Sequence, residues 1–104
     1  MIDEFRNWLV ARKGHSKKHS TDLYYRAKKL LGYTNNIVSR KVLLQAFERL
    51  KSEGLSEKTI SNYKNALAKF LEFLEEKYGI QGLKQSIMQE INKYYKWKQS
   101  SNIG

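Results

Sequence analysis

Not one of the 104 residues is proline, and only six are glycine. Proline removes a backbone donor and collides with the preceding helical turn. Glycine in a helix interior costs about 1 kcal/mol relative to alanine. Their scarcity predicts long helices joined by short turns. Gly14, Gly32, Gly54 and Gly79 each fall where an apolar stripe stops, as expected of residues that end helices.

The stripes themselves have helical spacing. Residues 2–12 place Ile2, Phe5 and Leu9, with Trp8 beside them, on one side, and Asp3 and Glu4 fall in the first turn, where they complement the helix dipole. A second helix over 17–31 carries Leu23, Ala27, Leu30 and Leu31, with Ser16 or Ser20 as its cap and Gly32 as its stop; Tyr33-Thr34-Asn35-Asn36 then reads as a loop. Ser39 caps a third helix bearing Val42, Leu43, Ala46, Phe47 and Leu50. The fourth, over 57–78, is capped by Ser56 and carries Ile60, Tyr63, Leu67, Phe70 and Leu74. A fifth, over 82–98, carries Leu83, Ile87, Ile91 and Tyr94 or Tyr95, and residues 100–104 read as a frayed end or linker. The expectation is an all-α bundle of four or five helices. Its division is a helical domain over residues 1–80 and a C-terminal helix with tail or linker over 81–104.

Residues 14–31, GHSKKHSTDLYYRAKKLL, echo residues 54–71, GLSEKTISNYKNALAKFL. Gly14/Gly54, Ser16/Ser56, Lys18/Lys58, Lys29/Lys69 and Leu31/Leu71 are identical. Two related helical hairpins would produce this echo, and so would chance matching of Gly, Ser and Lys between two capped helices. Two repeats are too few for a solenoid.

Twenty Lys and Arg against ten Asp and Glu give a formal charge of +10. A surplus of that size on a small domain points to a polyanionic partner, DNA or RNA first. A merely solubilising surface would intersperse both signs. Between Arg12 and Lys41 nine basic residues (Arg12, Lys13, Lys17, Lys18, Arg26, Lys28, Lys29, Arg40 and Lys41) face the single acid Asp22. On the fourth helix Lys58, Ser61, Asn62, Asn65 and Lys69 lie opposite the apolar stripe. Lysines neutralise phosphates, and an asparagine amide matches the N6/N7 edge of adenine in the major groove. The corresponding positions of the second helix are Lys18, Thr21, Asp22, Tyr25 and Lys29, with Arg26 and Lys28 beside them. His15 and His19 lack a third ligand and suit solvent or phosphate better than a metal. Tyr24, Tyr25, Tyr94, Tyr95 and Trp97 could stack on bases or pack, and for most of them packing in a core or interface is the better fit.

Cysteine is absent, which excludes disulfides and thiolate metal sites. No nucleophile–base–acid constellation and no glycine-rich phosphate loop is present, so no catalytic residue, metal, cofactor or small-molecule ligand is expected. The start, MIDEFRNW, lacks the basic and apolar regions of a signal peptide, and no apolar run approaches a membrane span. The expected location is cytoplasmic.

GLSEKTISNYKNALAKFLEFLEE, residues 54–76, resembles the hallmark of the N-terminal core-binding domain of tyrosine recombinases, the phage integrase family. Ser56, Thr59, Tyr63, Leu67, Phe70 and Leu71 carry the pattern, and Phe73 and Leu74 continue it. The order of upstream pieces is similar too, so the resemblance spans residues 2–78. It implies a SAM-like orthogonal bundle that forms half of a clamp on DNA, with the second and fourth helices approaching the major groove. It also implies that the C-terminal helix, within 82–98, meets neighbouring recombinase protomers. In the first hairpin Ser16 is followed by His19 and Leu23 rather than Thr and Tyr, a looser match. The family's catalytic Arg, Lys, His-x-x-Arg and Tyr cannot be placed: Lys18 and Asp22 stand three residues after the two histidines.

These readings assign contact with double-stranded DNA to Lys17, Lys18, His19, Thr21, Tyr25, Arg26, Lys28, Lys29, Lys58, Thr59, Ser61, Asn62, Asn65 and Lys69. The alternative is a helical protein-interaction module that self-associates or docks a partner.

Overall fold

The computed structural model describes residues 2–94, with side chains through Lys93, as five helices and no strand. Helix α1 (Ile2–Ala11) buries Phe5 and Leu9 completely. The Phe5 ring meets Phe70 edge-on at 5.3 Å and Phe73 at 5.7 Å, and Trp8 meets Phe73 at 5.6 Å. Such pairs add to the area term by favouring one ring geometry. Half-buried Trp8 turns its Nε1–H outward to donate to Glu76 at 2.6 Å.

Helix α2 (Lys17–Tyr33) starts at Ser16, whose hydroxyl accepts from the His19 amide at 3.1 Å. Ser20, the other candidate cap, is instead buried within the helix. The helix also runs through Gly32, where a stop was expected. The reversal is made three residues later by Asn35 and Asn36, at φ 53° and 64°. Asparagine tolerates this left-handed region better than most residues. Thr34 closes the last turn, its amide donating to the Leu30 and Leu31 carbonyls.

Helices α3 (Arg40–Ser52) and α4 (Glu57–Tyr78) are capped as expected, Ser39 accepting from the Val42 amide and Ser56 from that of Thr59, each at 3.2 Å. The echo between residues 14–31 and 54–71 has a local structural counterpart. Gly14 and Gly54 both take positive φ, 69° and 82°, two residues before cap serines of nearly identical ψ, 160°. A side chain is disfavoured at such φ, so the same tight entry is built twice.

Helix α5 (Leu83–Tyr94) packs on α3 and α4. Its Ile87 and Ile91 join the same core as Phe47, Leu50, Leu67 and Leu71, so that core continues past residue 80. The expected extension to 98, Tyr95, Trp97, the side chain of Tyr94 and the tail lie outside the described residues. Helix α4 contacts all four other helices. Ala66, Leu71 and Phe73 therefore become buried on it in addition to the single stripe, while Tyr63 is only half-buried. Among the described residues no helix is long and apolar enough to cross a membrane.

Candidate nucleic-acid interface

Among the described helices, α2 and α4 share the most extensive contact, and they run in opposite directions. At the start of α2, His15 lies within electrostatic reach of Lys69 and Glu72, in the middle of α4. Near its end, the Lys29 ammonium sits 5.7 Å from the ring centre of Tyr63, in the first half of α4.

The structure redistributes the charge counted along the chain. Arg12 pairs with Glu76, and Lys13 with Glu72 at 3.2 Å, so both anchor the α1–α2 turn to the acidic half of α4. Arg40 and Lys41 line a shallow pocket with Leu44 and with Glu90 of α5. Of the five cations of α2 itself, Lys29 pairs with Glu53 and four remain. Among the described residues, Lys17, Lys18, Arg26, Lys28 and, on α4, Lys58 take part in no ion pair.

The assigned residues occupy two flanks and a crest of α2 rather than one face. His19, Arg26 and Tyr33, spaced by seven, share the edge towards α4. On that flank Lys29 lies 5.8 Å from the Tyr33 ring and 3.7 Å from Glu53. Burial works to lower the Lys29 pKa, but the phenols of Tyr63 and Tyr33 and the Glu53 carboxylate outweigh it and hold it above its ordinary value. The other flank faces α1. Lys17 and Thr21 line a groove there with Arg6, Asn7, Val10 and Ala11. Lys28 lies 5.7 Å and Arg6 4.7 Å from the ring of Tyr24, whose hydroxyl donates to Asp3 at 2.7 Å. Tyr24 is thus a packing residue, as expected, whereas its neighbour Tyr25 is 57% exposed. Lys18 stands exposed between the flanks.

On α4, Lys58, Ser61 and Asn65 are exposed, and Asn62 and Lys69 are half-buried. The Thr59 hydroxyl is engaged in the cap, accepting from Ser56 Oγ at 3.0 Å. Lys69 approaches Glu72 at 3.8 Å, and the same carboxylate takes Lys13 at 3.2 Å and Lys84 at 2.7 Å. His15, which is not among the residues assigned to DNA contact, lies in the same region. Its ring meets His19 at 4.7 Å, and its Nε2 is buried without a partner. Burial first, then His19, Lys69 and Lys13, push its pKa below the usual histidine value, against an opposing pull from Glu72. The two histidines separated by four residues were the sequence signal for this cluster.

The family model for the phage integrase N-terminal SAM-like domain matches residues 44–103, more than half of the chain. This chain belongs to that family. The match takes in α4 with the Ser56–Leu74 pattern, all of α5 and most of α3, while α1 and α2 precede it. No curated protein and no solved structure matches the chain. An integrase SAM-like domain accounts for the all-helical architecture, and it relates this protein to the tyrosine recombinases.

Proposed function

We propose that this domain grips duplex DNA as the core-binding half of a tyrosine recombinase clamp, with α2 and the first half of α4 against the duplex. The observation that carries the reading is the distribution of unpaired cations around α2: Lys17 and Lys28 on one flank, Lys18 on the crest and Arg26 on the other, with Lys58 on adjoining α4. An α-helix with side chains is about 10–12 Å across, and the major groove is about 12 Å wide. A ridge with cations on both flanks suits a groove walled by phosphates on both sides. Asn62 and Asn65 supply amides for base edges, while the lysines supply position and affinity.

Strand cleavage, in this reading, comes from a catalytic domain that these 104 residues do not contain, because no His-x-x-Arg pattern exists among them. No tyrosine here takes the nucleophile role. The outer face of α5 is the surface left for a neighbouring recombinase protomer: its inner face is occupied by Ile87 and Ile91, and Gln85, Gln89 and Asn92 are exposed. A purely protein-docking role has less support, because the exposed large apolar residues among those described, Val10, Tyr25, Ile37, Tyr78 and Ile80, are spread over α1, α2, the α2–α3 turn and the end of α4 with the turn after it.

The test is a fluorescence anisotropy titration of labelled duplex in low salt, with RNA of equal length and charge as competitor. Duplex binding that RNA displaces poorly supports the reading. Absence of duplex binding refutes it, and equal displacement by RNA refutes the preference for DNA.

A further inference from the structure

We propose that His15 and His19, flanked by Lys13 and Lys69, form a phosphate site that loads by taking up a proton, so that duplex binding tightens as pH falls through the histidine range. This rests on the DNA-binding reading above and adds a regulation of the same surface.

The geometry is a contact pair at the start of α2. The two imidazoles meet edge-on, 4.7 Å between centres and 68° between planes, and His15 Nε2 is buried with no partner. The charged groups facing His15 come from three places: Lys13 from the α1–α2 turn, His19 from α2, and Lys69 and Glu72 from α4. Glu72 is already engaged by Lys13, Lys69 and Lys84. Three ammonium groups thus surround one carboxylate, and the local field is positive.

Such a field opposes a metal cation, and among the described residues no group of three His, Cys, Asp or Glu assembles to hold one. It attracts an anion. In the free protein burial and the nearby cations hold His15 below its ordinary pKa, so it is neutral at neutral pH. A DNA phosphate brought against exposed His19 and the two lysines reverses the balance, because a nearby negative charge favours the imidazolium. The duplex should therefore bring about one proton into the complex. In the free protein the same proton is unfavourable: the lowered His15 pKa contributes stability above the ordinary value of 6.5 that is lost as pH falls through the folded value.

The chain has only these two histidines, and Glu4, Glu53 and Glu72 are held below the usual carboxylate range. A response between pH 7.5 and 5.5 therefore points to the pair. The experiment measures the affinity of the full chain for labelled duplex across that range at constant ionic strength. It compares the wild type with the double variant His15→Gln/His19→Gln, and circular dichroism verifies the fold of both. The wild type should tighten by up to about tenfold per pH unit, the limit for one proton, and the double variant should change far less. Normal binding without pH dependence in the wild type overturns the proton link and leaves the DNA reading intact. An equal response in the double variant overturns the role of the pair. No binding at any pH overturns both readings. Should the variant fail to fold, calorimetry of the wild type in two buffers of different ionisation enthalpy decides: about one proton taken up supports the proposal, and none overturns it.

Discussion

The Lys84 ammonium of α5 donates to the Glu72 carboxylate of α4 at 2.7 Å. Lys13 of the α1–α2 turn reaches the same carboxylate at 3.2 Å and Lys69 at 3.8 Å. One partly buried acid thereby ties α4 to α5 and to the loop that leads into α2, and it holds Lys13 and Lys69 beside the proposed DNA-binding surface.

Glu72→Gln should therefore act in opposite directions on stability and on DNA affinity. The loss of charge-assisted hydrogen bonds should cost on the order of 1–2 kcal/mol, the lower figure reflecting partial exposure. The freed Lys13 and Lys69 should tighten duplex binding. Burial works to raise the Glu72 pKa, but hydrogen bonds from Lys84 and Lys13 and the Lys69 charge outweigh it and leave it lowered. The contribution is complete above the ordinary value and is lost as pH falls through the folded one. Urea unfolding at pH 6 and at pH 3.5 should show the gap between wild type and variant narrowing in acid.

Ser16→Ala and Ser56→Ala each remove a cap acceptor, used by the His19 and Thr59 amides respectively. Each should cost about 1 kcal/mol. Ser56→Ala also removes the hydroxyl that donates to Thr59 Oγ1. Thermal unfolding of both single variants checks the pair.

Phe5→Ala and Tyr25→Ala should separate folding from binding. Phe5 is fully buried against Phe70 and Phe73, and its truncation should cost about 3–5 kcal/mol. Tyr25 is exposed, and its truncation should stay within about 0.5 kcal/mol while weakening DNA binding. Urea unfolding and anisotropy on the same preparations measure both effects.

Asn62→Ala and Asn65→Ala should reduce discrimination between duplex sequences more than overall affinity, since amides read base edges and lysines hold phosphates. Selection from a randomised duplex pool, followed by titration of preferred and scrambled sites, measures this. Unchanged preference in both variants removes the asparagines from the reading role.

Much of the fold was legible because its signals are local. Ser39 and Ser56 as caps, Gly79 as an end and the Ile60–Leu74 stripe are decided within a few residues, and each is seen in the structure. Gly32 misled because a glycine inside a helix is tolerable when a better turn former, the Asn35–Asn36 pair, follows. The breadth of the buried face on α4 was not legible, since it depends on four helices packing around it. The charge map was only half legible. A count along the chain cannot show that Arg12 and Lys13 fold back onto Glu76 and Glu72, about sixty residues away in sequence, or that helical spacing sends Lys17 and Arg26 to opposite flanks.

The most direct test of the central claim is the salt dependence of duplex binding, compared between the wild type and the combined variant Lys17→Gln/Lys18→Gln/Arg26→Gln/Lys58→Gln. Each phosphate released should remove about 0.9 from the log–log slope, so the variant should lose about 3.6 if all four residues neutralise phosphates. A folded variant that keeps the affinity and slope of the wild type would contradict the account, because the cations on both flanks of α2 would then have no part in holding DNA.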